Sequence, residues 1–540
     1  MNVLFDYMIN NVLIADGRGS RSLFRANVAV NGIKFGPIGG TDFPANRTIE
    51  GNGLILAPGF IDLHGHSDAL FLLNELQESK VFQGVTTEVC GQCGLSLVPN
   101  DPLNLEKHID GISFAFDHLD KIDWVKLNRF EDYLNAIDAR SISMNCAPLV
   151  GHGAIRTVTM GFDNRPPSKK ELQEMVNFLD DSLTSGAWGM SLGLLYPPGA
   201  FARIEELETL AEVVASHSAI IHVHLRNENE TIFESIKEII EIGKQSGAHI
   251  HISHLKLTGK SQWGKGQSIV DLIRGAREAG INIDADQYPY EASSTGLMSL
   301  VPKWSFEGGI NRMLDRLRGK VIRKEIEEEI EKNILVKMIG SQSIMLNTRG
   351  IIPEYDFRFV SDISSEKNLT PGEIIVDILL ATKGQARANF FAMDKSDILF
   401  FMSQEDIGVG SDGRAYAFKQ EITPGSAVHP RSFGTFPKFL RMVLDNNLMS
   451  VEQAIRKITG YAAEIMGIPD RGLVSEGFIA DFVLFDPERV RDRATYEKPC
   501  LKPEGIPFVF VNGKPVVFND LQTKERPGGA LRRSYNKHVL

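Results

Sequence analysis

Between residues 58 and 410 short apolar runs alternate with longer helical stretches, and this alternation constrains the fold more than any other feature of the chain. Strand ends are expected at Phe60–Leu63, Thr86–Cys90, Cys146–Val150, Trp188–Leu192, Ile220–Val223, His249–Ser253, Ile281–Ala285 and Ile407–Gly410. Helical periodicity fills Lys169–Thr184, Ile204–Ser216 and Thr231–Ser246 between them. Strand–helix alternation of this kind points to a parallel sheet with crossover helices. Eight such strands close a (β/α)8 barrel, an α/β fold whose active site lies beyond the C-terminal strand ends.

Residues able to bind a metal recur at those ends. His64 and His66 follow the first run, Cys93 the second, His152 the third, His222 and His224 the fifth, His254 the sixth and Asp412 the eighth. Neutral imidazole is the commonest protein metal ligand. A lone His-x-His says little, but a barrel would bring all these side chains to one mouth. His222 and His224 share a strand face, so one of them suffices as a ligand; His249 and His251 are expected to be structural. Asp412, in Gly410-Ser411-Asp412-Gly413, taken alone would only form an Asx turn.

Other motifs carry less. Cys90 and Cys93 form a single CxxC with no second pair, so Cys90, Cys146 and Cys500 are read as inert buried thiols. Gly189-Met190-Ser191-Leu192-Gly193 spells a nucleophile elbow, but Pro197-Pro198 follow where the elbow requires a helix. It is read as a barrel strand lining the pocket.

The two ends have a different texture. Residues 1–57 and 471–522 are short strands with Gly and Asn-Gly breaks, and two such pieces suit one split β domain. The barrel would occupy 58–470, with an insertion at about 297–399 placed as a lid; 523–540 is a basic tail, mobile or docking. A net charge of −11 argues against nucleic acid or anionic membrane as partner. Four cysteines are too few for a disulfide scaffold, Met1–Arg21 lacks a basic head and apolar stretch, and no run approaches a membrane span. A cytoplasmic protein with a small-molecule substrate is expected.

At this point the sequence resembles the amidohydrolase superfamily, and within it the N-acyl-D-amino-acid deacylases, over roughly residues 5–520. The marks are Pro58-Gly59-Phe60-Ile61-Asp62-Leu63-His64-Gly65-His66, Gly84-Val85-Thr86-Thr87 with Gly91-Gln92-Cys93-Gly94, and His224-Leu225-Arg226-Asn227-Glu228. Ile252-Ser253-His254-Leu255-Lys256, Tyr288-Pro289-Tyr290 with Ser293-Ser294-Thr295, Gly410-Ser411-Asp412-Gly413 and His429-Pro430-Arg431-Ser432-Phe433-Gly434 complete them. The resemblance implies a distorted (β/α)8 TIM barrel with a small β-sandwich built from both termini. It implies zinc held tightly by Cys93, His224 and His254, with His64, His66 and Asp412 forming a second, weaker position that Cys93 bridges. Asp412 would be general base and acid; Lys256, Tyr288, Ser294 and Arg431 would surround the substrate carboxylate. The implied reaction is hydrolysis of N-acyl-D-amino acids to a carboxylate and a free D-amino acid. A cyclic-amide hydrolase of hydantoinase or dihydroorotase type is the alternative, disfavoured by Cys93 where those enzymes use a bridging lysine. Eighteen residues separate Asp412 from Arg431, a longer loop than is usual in the resemblance, so side-chain preference does not carry over.

Overall fold

The structure, a computed structural model, describes residues 4–40, 43–418 and 428–534. The barrel strands are β1 (Phe60–Asp62), β2 (Val85–Cys90), β3 (Asn145–Pro148), β4 (Val150–Gly151), β5 (Gly189–Gly193), β6 (Ile220–His224), β7 (His249–Ile252), β8 (Ile283–Gln287) and β9 (Gly408–Val409). β3 and β4 are one strand interrupted at Leu149, so all eight expected positions are occupied. Two parallel arcs form, β1-β2-β3 and β9-β8-β7-β6-β5-β4. Leu149 N–H donates to Cys90 O and so bridges one seam. A parallel bridge between Gly65 and Gly413, with Asp412 N–H donating to His64 O, closes the other. That second seam lies at the strand ends carrying His64, His66 and Asp412, so barrel closure itself brings these residues together.

The strands are almost wholly buried, which is why they read as unbroken apolar runs. The helices expected at 169–184 and 204–216 stand as α1 (Lys169–Thr184) and α2 (Ile204–Ser216); the third is α3 (Ile232–Ser246), with Thr231 as its N-cap. Ser168 and Glu171 form a capping box on α1, whose buried stripe is Met175, Leu179, Ser182 and Leu183.

The chain ends share one nine-stranded sheet. Ile55–Pro58 joins the halves: it pairs parallel with Phe5–Ile14 and antiparallel with Phe482–Phe485. Tyr7 and Phe510 lie three strands apart in this sheet, which would separate them by about 14 Å if it were flat. Their ring centroids are 5.0 Å apart, so the sheet curls over its own core in the manner of a sandwich.

The inserted segment builds a three-stranded antiparallel sheet, Ser293–Gly296 and Ile344–Asn347 on either side of Arg387–Phe390, with helices α4 (Ile310–Arg318) and α5 (Lys320–Lys337). Its sheet starts at Ser293, before the expected boundary at 297, and this strand faces the barrel mouth. Of the basic tail, 523–534 is described and docks: Ala530 bridges Cys146, and Trp188 Nε1–H donates to Leu531 O at 2.8 Å. Among the described residues no helix is long and apolar enough to cross a membrane.

Candidate metal centre

Cys93 Sγ lies 3.4 Å from His64 Nε2, 3.5 Å from His224 Nδ1 and 3.4 Å from His254 Nε2. Asp412 Oδ1 stands 3.2 Å from His66 Nε2 and 3.9 Å from His64 Nε2. Among the described residues, potential ligand atoms within 4.8 Å of one another fall into three groups: His64–Cys93–His254, His64–His66–Asp412 and His224–Glu228–His254. Five barrel strands supply them. Cys93, His254 and Asp412 all hold positive φ, 57°, 37° and 51°. Side chains rarely adopt this conformation, at a cost of order 1 kcal/mol each, and such strain gathers at functional sites.

The loop bearing Cys93 is held by neighbours chosen for it. A Cβ on Gly193 would come within 1.9 Å of Cys93 O, so only glycine admits the loop there. Ser191 Oγ donates to Gly91 O and accepts from Gly94 N–H at 2.9 Å. The serine of the elbow-like motif is thus spent on anchoring the cysteine loop.

Burial pushes His64 and His224 well below the ordinary imidazole range and brings His66 down to about 4, leaving neutral rings with lone pairs to offer. Burial, with Asp412 nearby, pushes the Cys93 thiol up. A cation among these atoms would reverse that shift and favour the thiolate. Burial raises Asp412, but Arg431, His66 and the other histidines outweigh it and hold the carboxyl well below its ordinary value. One sulfur, several imidazole nitrogens and a carboxylate are the donor set that zinc takes, and the residues fit that ion.

The four residues expected around a substrate carboxylate come together. Arg431 Nη1 pairs with Asp412 Oδ2 at 2.8 Å, Nη2 donates to Ser294 O at 3.1 Å, and the guanidinium sits 5.0 Å from the Tyr288 ring centroid. Among the described residues Tyr288 OH is buried without a hydrogen-bond partner. Lys256 Nζ binds Glu228 Oε1 at 2.5 Å and approaches His254 Nδ1 at 2.6 Å. A cavity of about 30 Å³ touches His66, Cys93, His224, His254, Ser294 and Arg431. A neighbouring one of about 100 Å³ reaches Glu228 and Lys256, and Asp412 borders both.

His222 sits one level deeper in the barrel, its Nδ1 3.1 Å from Gln92 Nε2 and its ring 4.4 Å from that of His251. His152 leaves the site entirely and bonds Glu206 at 2.7 Å. Of the long loop after Asp412, Arg414 reaches Ala115 O and lines the smaller cavity, while residues 419–427 lie outside the described residues.

Two acids escaped sequence reasoning as site residues. Glu228 stands 3.3 Å from His254 Nδ1, which leaves Nε2 to face Cys93; its spacing of four from His224 was a usable signal. Asp286 accepts from His251 Nε2 at 2.7 Å and from His254 N–H at 2.8 Å, and its place at the end of β8 was the available clue.

A model described as "Amidohydrolase family" matches residues 408–517. The chain is 33% identical to the N-acyl-D-glutamate deacylase of Alcaligenes xylosoxydans xylosoxydans, over 99% of this chain and 98% of the relative. It is 30% identical to the D-aminoacylase of the same organism, over 98% of each. The solved N-acyl-D-glutamate deacylase of Bordetella bronchiseptica, complexed with zinc and a phosphonate mimic of the tetrahedral intermediate, matches at 30% identity. Its TM-score is 0.83, with 98% of this chain and 100% of that one covered. A D-hydantoinase, at 15% identity and TM-score 0.53 over 98% and 100% of the two chains, shares the fold alone. Sequence similarity over nearly the whole chain, together with the barrel and its cysteine–histidine cluster, makes this chain a member of the amidohydrolase family, in the branch of D-aminoacylase and N-acyl-D-glutamate deacylase.

Proposed function

We propose that this protein is a zinc-dependent amidohydrolase that cleaves the linear amide of N-acyl-D-amino acids, giving a carboxylate and a free D-amino acid. The observation that carries the reading is Cys93 Sγ within 3.5 Å of three buried imidazoles, with Asp412 bordering the same cavity. Cys93, His224 and His254 would hold the tight zinc; His64, His66 and Asp412 would hold a weaker second ion with Cys93 between them. When bound, zinc supplies Lewis acidity toward the amide carbonyl and lowers the pKa of water toward about 7.

The chain's own groups do the rest. Asp412, gripped by His66 and Arg431, takes the proton of the attacking water and passes it to the amide nitrogen. The C–N bond breaks once that nitrogen can leave as an amine. Arg431 and Lys256 bind the carboxylate beside the scissile bond, the arginine through two parallel donors and the lysine as a point charge. The Tyr288 hydroxyl, without a partner among the described residues, and Ser294, which lines the same cavity as Arg431, would complete that contact. Carboxylate, amide and side chain are then fixed at three points, and this distinguishes D from L. We also place the enzyme in the cytoplasm, because its four cysteines are free thiols.

Zinc-loaded protein assayed on paired N-acetyl-D- and N-acetyl-L-amino acids is expected to release only D-amino acids, and to lose that activity to a chelator. Hydrolysis of L-isomers alone, or ring-opening of hydantoins in preference to acyl amino acids, would overturn the reading.

A further inference from the structure

A buried ammonium sits at the seam between the first and last barrel strands. Lys80 lies in the short helix Glu78–Val81 and is wholly buried. Its Nζ stands 2.5 Å from Asp62 Oδ2 and 3.0 Å from Glu88 Oε2, and donates to Ser411 Oγ at 2.7 Å. Asp62 ends β1, Glu88 belongs to β2 and Ser411 follows β9, so one cation joins the two arcs of the barrel. All three partners are as deeply buried as the lysine. A charge survives such burial only when it is paired and hydrogen-bonded, as this one is.

Each partner also grips a segment that carries metal-site residues. Asp62 Oδ1 accepts from His64 N–H at 3.2 Å and from Ser411 N–H at 2.8 Å. Asp62 Oδ2 accepts from the Ser411 hydroxyl at 2.6 Å, and Ser411 Oγ accepts from Gly413 N–H at 2.9 Å. Glu88 accepts from Ser67 N–H at 3.1 Å and from its hydroxyl at 2.8 Å, and Ser67 Oγ accepts from Ala415 N–H at 2.8 Å. A Cβ on Gly65 would come within 2.1 Å of Glu88 Cδ, so the residue between His64 and His66 must be glycine for the carboxylate to pass. The network therefore ties residues 62–67 to residues 411–415, the segments that hold His64, His66 and Asp412. Among the described residues no hydrogen bond or ion pair of Lys80, Asp62, Glu88 or Ser411 reaches Cys93, His224 or His254.

We propose that Lys80 is a positioning residue. By clamping Asp62, Glu88 and Ser411 together it sets Asp412 against His64 and His66, and the tight zinc at Cys93, His224 and His254 does not depend on it. This rests on the deacylase reading above, in which Asp412 moves the proton.

Full-length protein and Lys80→Met, each loaded with one zinc per chain, are compared on N-acetyl-D-amino acids. The variant is expected to lose about 100-fold in kcat with KM within about threefold, the effect of shifting a reacting group by about 1 Å. It should keep its one zinc against a chelator. Calorimetric titration of further Zn²⁺ into the one-zinc proteins should show the second ion bound 10- to 100-fold more weakly by the variant, about the usual cost of losing an outer partner. Lys80→Met will also melt lower, because two buried carboxylates lose their counter-charge. Ser411→Ala removes one hydroxyl and no charge, and carries the same test if Lys80→Met does not fold. It should lower kcat and second-ion affinity by about tenfold each. A folded variant that melts lower yet keeps the parent's kcat and second-ion affinity would show a merely structural role and overturn the proposal, leaving the deacylase reading standing. Loss of the tight zinc from Lys80→Met would overturn it equally. If the parent hydrolyses nothing the deacylase reading fails instead, and the second-ion titration alone decides Lys80: weaker binding in the variant supports it, and equal or absent second-ion binding refutes it.

Discussion

Cys93 Sγ stands 3.4 Å from His254 Nε2, and both residues hold left-handed backbones, φ 57° and 37°, just past the ends of two strands that belong to different arcs of the barrel. The thiol touches His64, His224 and His254 at once. Cys93→Ala should therefore fold, yet bind zinc at least about 100-fold more weakly, a loss at or beyond the upper end of what outer partners cost. Metal content after gel filtration measures this. A variant that retains zinc and activity would remove Cys93 from the centre.

Ser191 gives a sharp contrast between two roles. As an anchor of the Gly91–Gly94 loop, its replacement by alanine should lower kcat less than about tenfold, since one neutral hydrogen-bonding group is lost. As a nucleophile it would cost on the order of a millionfold. Steady-state kinetics of Ser191→Ala distinguishes them without ambiguity.

Glu228 touches both Lys256 and His254 Nδ1. Glu228→Gln keeps the shape but removes the charge that orients the imidazole. Zinc affinity should fall 10- to 100-fold, about the usual cost of losing such a partner, and KM should rise as Lys256 is freed. Chelator competition and kinetics on the same preparation report the two effects separately.

Lys457 is buried, donates to Met402 O at 2.7 Å, and is brought by burial down to about 7. In the unfolded chain a lysine titrates near 10.4, so between about pH 7 and 10 the unfolded state binds the extra proton. This group's contribution to stability must then rise with pH across that window. Denaturant unfolding at pH 7 and pH 9 should show a wild-type gain that Lys457→Met lacks, with the variant the more stable of the two at pH 7. An identical pH slope in both proteins would contradict the assignment.

The architecture was legible because each barrel strand is buried on both faces and so leaves an unbroken apolar run between helices. His64, His66, Cys93, His224, His254 and Asp412 were legible because they stand at or just past the ends of those runs. Depth was not legible. His222 and His224 share a strand face with the same chemistry, and only the barrel's layering turns one toward Cys93 and the other toward Gln92 and His251.

Nor could linear order reveal pairings between distant segments. Glu228, four residues past His224, meets Lys256 and His254 only once the chain folds. Periodicity along the chain records which faces avoid water, and that suffices for strands, helices and their order. Which charges meet, and which are left unmet, depends on closure across hundreds of residues, and only the assembled barrel decides it.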